Sequence, residues 1–356
     1  MEGVCAADTL HVKHRFRTLN INSIYDDNHR ARLTPKFLDN PKPFDMDLKR
    51  LRYFVTVART RSFIRAAEAL HISQPPLSQR IQELETEVGA PLLNRDSRPL
   101  TLTPAGQLLY DQAVEILRRT DAMVASLGRM LGNRRPTFTF GIVPANFHGN
   151  FALVIRHFRQ ALPMLTVRLA EMDGHQQREA LREGRIDAGI SRVDIAADGV
   201  HRIVLRHEPM VAAVPADHPL ASRESAMQLA ELKDESFLIY ATKPRPSLAD
   251  HILAQLKEPQ VVLSDPQEVD QYDTALLMVA AGCGVSIVPA SAQLAPVPGV
   301  AYRPLVESIT SPVVLCHRND DTSPELQMLY FVIGRFLSER GHKVPTELRL
   351  DGLNLG

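Results

Sequence analysis

From Leu48 to Thr60 the apolar residues Leu48, Leu51, Phe54, Val55 and Ala58 recur at steps of three and one, the stripe of an amphipathic helix. Ser62 then offers an N-cap to a short alanine-rich helix carrying Ile64, Ala66, Ala67, Ala69 and Leu70, small enough for another helix to approach closely. Ser73 is positioned to cap a third helix, with Pro75 and Pro76 in its first turn, Leu77, Ile81, Leu84 and Val88 as its buried stripe, and Gly89 as its stop. Residues 91–103 read as two short strands around a polar tip. From Thr103 to Leu131 follows a long helical pattern with too many apolar groups to lie alone in water: it packs either on the body of its own chain or against a second copy. Arg134-Arg135-Pro136 ends it as a hinge.

Beyond the hinge the period changes. Strands are predicted at residues 137–144, 165–170 and 186–190, separated by helices at 151–161 and 176–183, the alternation of an α/β domain with a mostly parallel sheet. Strands at 211–215 and 237–240, a helix at 273–281 and a turn into a strand at 282–289 start a second lobe. A strand at 313–317 and a helix at 324–340 return to the first. Two lobes joined by two crossings leave a cleft between the strand ends.

The third helix of the front region presents Gln74, Ser78 and Gln79, with Arg80 behind them, on its N-terminal outer face. Such side chains read base edges when a helix end enters a major groove, while Arg80 and the hairpin's Arg95 and Arg98 suit phosphate contact; an ordinary surface hairpin is the alternative for the last two. In the rear region, anion recognition is expected where strands meet helices, at Pro144, Ala145, Asn146, Gly174 and His175, with Arg192 and Thr242 nearby. His148, Lys243 and Arg245 are further candidates, each equally readable as a solvated surface residue.

Met46 to Phe54, Ser62-Phe63, Ala66-Ala67, Gln74-Pro75-Pro76-Leu77-Ser78, Leu84-Glu85, Leu92-Leu93, Arg95 and Leu102-Thr103-Pro104-Ala105-Gly106 resemble the N-terminal domain of LysR-type transcriptional regulators. Glu183-Gly184-Arg185-Ile186-Asp187, Val279-Ala280-Ala281-Gly282 and Val288-Pro289-Ala290-Ser291 resemble the effector domain of that family, in the branch controlling breakdown of aromatic compounds, whose effectors are muconate- and benzoate-type carboxylates. The resemblance implies a winged helix-turn-helix (46–104), a linker helix and hinge for dimerisation (105–136) and a two-lobed periplasmic-binding-protein-like effector domain (137–341). Lobe I then covers about 137–207 and 309–341, and lobe II about 208–308, followed by a tail at 342–356. It also assigns base reading to Gln74, Pro75 and Ser78. The family's two pocket hydroxyls are replaced here by Ala145 and Gly174, which predicts weaker muconate binding and a ligand with more apolar surface. Implied partners are double-stranded promoter DNA, a small organic acid, a second copy as dimer or tetramer, and RNA polymerase, in the cytoplasm.

Composition narrows this further. The 356 residues are 44% hydrophobic and 23% charged, with three widely spaced cysteines, which fits neither a disulfide framework nor a zinc site and points to a reducing compartment. Net charge is zero over the chain, but residues 1–136 carry 21 basic and 15 acidic side chains against 20 and 26 in the remainder, a division that favours nucleic acid at the front. Residues 1–45 lack periodicity and any secretory apolar core, and read as a disordered leader or as the product of an early start codon. No nucleophile elbow, phosphate loop or metal-ligand spacing is present, so an enzyme is not expected and no cofactor or metal is called for. A solute-binding transport protein shares the two-lobed plan and remains the alternative, disfavoured by the attached helix-turn-helix.

Overall fold

The carboxylate of Asp47 accepts the Arg50 amide at 2.6 Å and so starts α1 (Leu48–Thr60), which buries Leu51, Phe54, Val55 and Val57. The computed structural model describes residues 47–131, 135–147, 149–193, 198–223, 225–241, 245–256 and 266–349. The leader at 1–45, His148, Thr242 and Lys243 lie outside the described residues. Ser62 caps α2 (Phe63–Ala69), whose Ala66 and Ala67 are buried among the neighbouring helices. Ser73 stands at the N-cap of α3 (Gln74–Val88) but makes no capping hydrogen bond. The physical reason is local: an N-cap oxygen serves the second and third helical amides, and here both positions are proline.

The hairpin is formed by β1 (Leu93–Asn94) and β2 (Thr101–Leu102), paired antiparallel. Glu85 of α3 fixes it, accepting the amides of Leu92 and Leu93 at 2.9 and 3.2 Å and an Arg95 guanidinium N–H at 2.7 Å. The long helix α4 runs Pro104–Met130, and the chain divides into two compact units between Leu109 and Tyr110, within it. Its first turn sits on the hairpin because Gly106 has no side chain: a Cβ there would lie 1.9 Å from the Leu92 carbonyl oxygen. Gly106→Ala is therefore expected to destabilise the N-terminal unit by about 1–3 kcal/mol, the usual range for overpacking. Thermal unfolding of the full chain checks this, and an unshifted first transition would show that the turn relaxes freely.

In the second unit, β3 (Thr137–Ile142), α5 (Phe151–Ala161), β4 (Thr166–Glu171), α6 (Gly174–Arg182) and β5 (Ala188–Ser191) form two parallel strand–helix–strand units, with β3 between β4 and β5. Next comes β6 (Val200–Pro215), 16 residues long and common to both lobes. Its first part pairs with β11 (Thr310–Arg318), which in turn lies antiparallel to β5. Its last part pairs with β9 (Ser286–Pro289) and β10 (Val300–Pro304). The sheet of lobe I is thus mixed rather than mostly parallel, because each strand that crosses between lobes enters antiparallel to its neighbours.

Lobe II adds β7 (Leu238–Tyr240) and β8 (Gln267–Val269), paired parallel, with β7 bridged to β9 through Phe237 and Val285. Two helices, α7 (Leu248–Leu256) and α8 (Tyr272–Ala280), cover it. One core collects Phe237, Leu238, Ile252, Leu276 and Ile287 in lobe II. A second, in lobe I, packs Phe138, Phe140 and Phe158 against α9 (Pro324–Glu339), with ring centroids 4.8 to 5.8 Å apart. Of the expected tail, residues 342–349 are described, and they return to this second core. Leu348 is buried there, and Gly334 of α9 leaves room for its carbonyl.

Candidate functional site

Two surfaces, one in each unit, gather the candidate residues. On α3, Gln74 and Pro75 are exposed, Ser78 is half-buried, and neither Gln74 nor Ser78 has a side-chain hydrogen bond among the described residues. Gln79 and Arg80 differ: both donate to Glu83, at 3.2 and 2.8 Å. Arg95 is held by Glu85 and lies over the Phe63 ring, whereas Arg98 is exposed at the hairpin tip with no ion pair among the described residues. Among the described residues the unit therefore offers two polar side chains without internal hydrogen bonds at a helix N-terminus and one cation without an ion pair at the hairpin tip. Three of the expected contact residues are partnered within the chain.

The second surface is a cavity of about 170 Å³ between the lobes of the second unit. Lobe I supplies Pro144, Ala145, Met172, Gly174, His175 and Arg192, together with the polar Glu171, Asp173 and Gln176, and lobe II supplies Tyr240, Pro246, Ser247, Leu248, Gln271 and Tyr272. A space of ~150 Å³ lined by apolar groups accommodates benzene, so this volume fits a ligand with a single ring. The two tyrosine rings stand edge to face, 5.4 Å apart. Burial pushes both phenols' pKa values up, keeping them neutral. The Tyr240 hydroxyl donates to the Ile287 carbonyl, which leaves the ring as an apolar wall.

Arg192 is only 2% exposed. One of its terminal nitrogens meets Glu208 at 2.6 Å and Ser311 Oγ at 3.0 Å, and the other donates to the Ala145 carbonyl at 3.2 Å. Its Nε is buried without an acceptor. Burial lowers the guanidinium's pKa, with Glu208 opposing. In Glu208, burial pushes the carboxyl up, yet Arg192, Arg206 at 3.2 Å and the Ser291 amide at 2.8 Å together outweigh it and hold the group below its ordinary value.

The anion site expected at the start of α6 is largely filled from within. Asp173 caps the helix, accepting the amides of His175 and Gln176 at 2.8 and 2.9 Å, so Gly174 alone retains an unengaged amide in that turn. Gly174 has an ordinary φ, and a Cβ there would touch only Ser191 Oγ, at 3.1 Å. Asn146 does not line the cavity. It is buried, and its Nδ2 donates to the Ile190 carbonyl at 3.1 Å. Arg245 is committed to Asp250 and Glu268 and is not part of the wall. His175 donates through Nε2 to the Pro246 carbonyl at 3.2 Å, joining the two lobes across the cavity.

Sequence reasoning missed Met172, Tyr240, Tyr272 and Glu208. For the tyrosines the signal was present, since both lie at the ends of elements that face the cleft. Glu208 gave none, being one of four consecutive polar or turn-forming residues, Arg206 to Pro209. Cys316 and Cys283 form no disulfide: Cys316 is buried in lobe I and Cys283 is exposed on lobe II.

A helix-turn-helix with a wing, followed by a two-lobed domain with an open cavity between the lobes, is the plan of a ligand-responsive DNA-binding regulator. Residues 48–107 match the profile of the bacterial regulatory helix-turn-helix proteins of the lysR family, and residues 132–332 match the LysR substrate binding domain. The probable cat1 operon transcriptional activator of Acinetobacter lwoffii is 40% identical over 296 residues, 83% of this chain and 97% of the relative. The regulator BenM of Acinetobacter baylyi is 37% identical over 302 residues, 84% of this chain and 99% of its own. The crystal structure of the BenM effector binding domain with benzoate covers 60% of this chain and 96% of that domain, at 34% identity and a TM-score of 0.56. Full-length CbnR with its target DNA covers 82% and 99%, at 26% identity and a TM-score of 0.61. The chain belongs to the LysR family of transcriptional regulators. No helix among the described residues is long and apolar enough to cross a membrane.

Proposed function

We propose that the protein binds promoter DNA as a dimer or tetramer, through Gln74, Pro75 and Ser78 of α3 and Arg98 of the wing, and changes state when a small aromatic or unsaturated carboxylate enters the interlobe cavity. It works in the cytoplasm, with RNA polymerase as the downstream partner. Oligomerisation is supported by α4, whose Leu108, Ile116, Met123, Val124 and Leu127 are exposed and need a cover that a second α4 supplies. The effector class rests on one observation: a buried guanidinium whose Nε lacks an acceptor among the described residues, on a cavity whose wall carries two tyrosines, two prolines, a leucine and a methionine beside the polar Glu171, Asp173, His175, Gln176, Ser247 and Gln271. A carboxylate answers that donor and the Gly174 amide, and a ring fills the apolar remainder. BenM, crystallised with benzoate, makes benzoate the first compound to test.

Calorimetry with benzoate and cis,cis-muconate on the full chain is the experiment. Benzoate is expected to bind more tightly than muconate. Ala145→Ser and Gly174→Ser, each adding one hydroxyl worth about 0.5–1.5 kcal/mol, are expected to raise muconate affinity roughly three- to tenfold apiece. Tight muconate binding by the unaltered protein would refute the apolar preference, and failure of every carboxylate tested would refute the effector class.

A further inference from the structure

Helix α6 is tied to the cavity at one end and to the long helix α4 at the other. At its start, Gly174 and His175 line the cavity, with His175 bonded across to the Pro246 carbonyl of lobe II. About 13 Å away by helical rise, its last turn and the loop after it hold the Tyr110–Arg118 stretch of α4. The Tyr110 hydroxyl donates to Glu183 at 2.5 Å, and Arg182 donates to Asp111 at 2.8 Å. Gly184, at φ +70°, leaves room for the Arg118 side chain, which pairs in turn with Asp320 of the β11–α9 loop. Arg318, the last residue of β11, donates to the Ile186 carbonyl at 2.7 Å, so the end of β11 holds the segment that follows α6.

Between these ends α6 rests on bare backbone. A Cβ at Gly141 would meet Gln177 Cγ at 3.0 Å, and one at Gly189 would meet Gln177 Oε1 at 2.4 Å. Its polar anchor to the sheet is Gln177, whose Nε2 donates to the Met172 and Ile190 carbonyls while its Oε1 is buried without a partner. A helix seated on glycines and anchored by a half-satisfied amide meets little steric resistance to a small shift along the sheet, and each end of such a shift lands on a functional element.

We propose that α6 carries the state of the cavity to the linker helix: occupancy displaces its Gly174 end, and Arg182, Glu183 and Gly184 pass the displacement to Tyr110, Asp111 and Arg118. This rests on the reading of the cavity as the effector site. Hydrogen–deuterium exchange of the full chain tests it, with amides 110–118 as the readout, α9 as the internal control, and benzoate as the probe, its binding followed by calorimetry. Benzoate is expected to change exchange at 110–118 at least threefold with α9 unaltered, and the change is expected to vanish in the Tyr110→Phe/Arg182→Ala double variant while benzoate still binds. Binding without a change at 110–118, or an equal change in the double variant, overturns the α6 route and leaves the effector reading intact. If benzoate does not bind, that result counts against the effector reading, and His175→Ala without ligand decides the route instead. This variant cuts the tie to lobe II and is expected to shift the 110–118 amides at least threefold. An unchanged pattern there overturns the proposal.

Discussion

Arg192→Met lowers the unfolding free energy of the effector domain by about 3–5 kcal/mol at neutral pH, the cost of leaving one partner of a buried ion pair alone. Glu208, 3% exposed by side chain, then retains only the partly exposed Arg206 as counter-charge. Adding Glu208→Gln to the same chain recovers most of the loss, because the uncompensated charge is gone. The pH dependence separates this from a simple packing defect. In the unaltered protein Glu208 is held below its unfolded value of ~4.3, so its contribution is present above that pH and is lost as pH falls through the folded value. In Arg192→Met, burial prevails and the folded value rises, so stability falls as pH increases through it. The gap between the two proteins therefore narrows below about pH 4, as urea unfolding at pH 7 and pH 4 would reveal. A gap that is the same at both values would mean that the pair carries no charge coupling.

The second large effect is on DNA. Gln74→Ala and Ser78→Ala reduce the ratio of operator to random-sequence affinity by about 1–3 kcal/mol each, the usual worth of a direct base contact. Arg98→Ala weakens both kinds of DNA nearly equally and lowers the salt slope by roughly one. Arg95→Ala acts otherwise. It removes the partner of Glu85, which also holds the Leu92 and Leu93 amides, and so loosens the wing as a body, with a fall in melting temperature that Arg98→Ala does not share. Titrations on operator and scrambled duplexes at three salt concentrations distinguish these outcomes. An unchanged ratio in Gln74→Ala would remove α3 from the reading role.

Local signals carried the N-terminal unit almost whole. The helix stripes of α1 and α3, the proline-bearing first turn and the Gly89 stop are all written in neighbouring residues, and the structure follows them within a residue or two. Ser73 failed as a cap for a reason equally local, which single-residue preferences do not register. The effector domain was legible where strands are apolar throughout, as in Ala188–Ser191, and illegible where a strand carries charge. Between Val200 and Pro209 β6 contains His201, Arg202, Arg206, His207 and Glu208, and reads as polar loop. It is a strand because β11 supplies its ladder, and Glu208 is inward because Arg192, 16 residues earlier, meets it. Helix α7 and strands β8 and β10 escaped notice as well, being short and dependent on lobe II for their burial. In the cavity, position was legible and occupancy was not. That a helix begins near Gly174 at the cleft follows from the sequence, whereas its start at Gly174 itself and its closure by Asp173 appear only in three dimensions.

The unbroken course of β6 through both lobes has a mechanical meaning. Its backbone ladder continues across the crossing, with Pro209 opposite Thr310 and the Met210 amide donating to the Ile309 carbonyl. Two lobes joined by floppy loops swing like a door, whereas lobes joined by a two-stranded ribbon turn like the ends of a torsion bar. A rotation of one lobe against the other would have to wind or unwind that ribbon, against the resistance of its backbone ladder. The domain is thereby suited to small, self-restoring rotations.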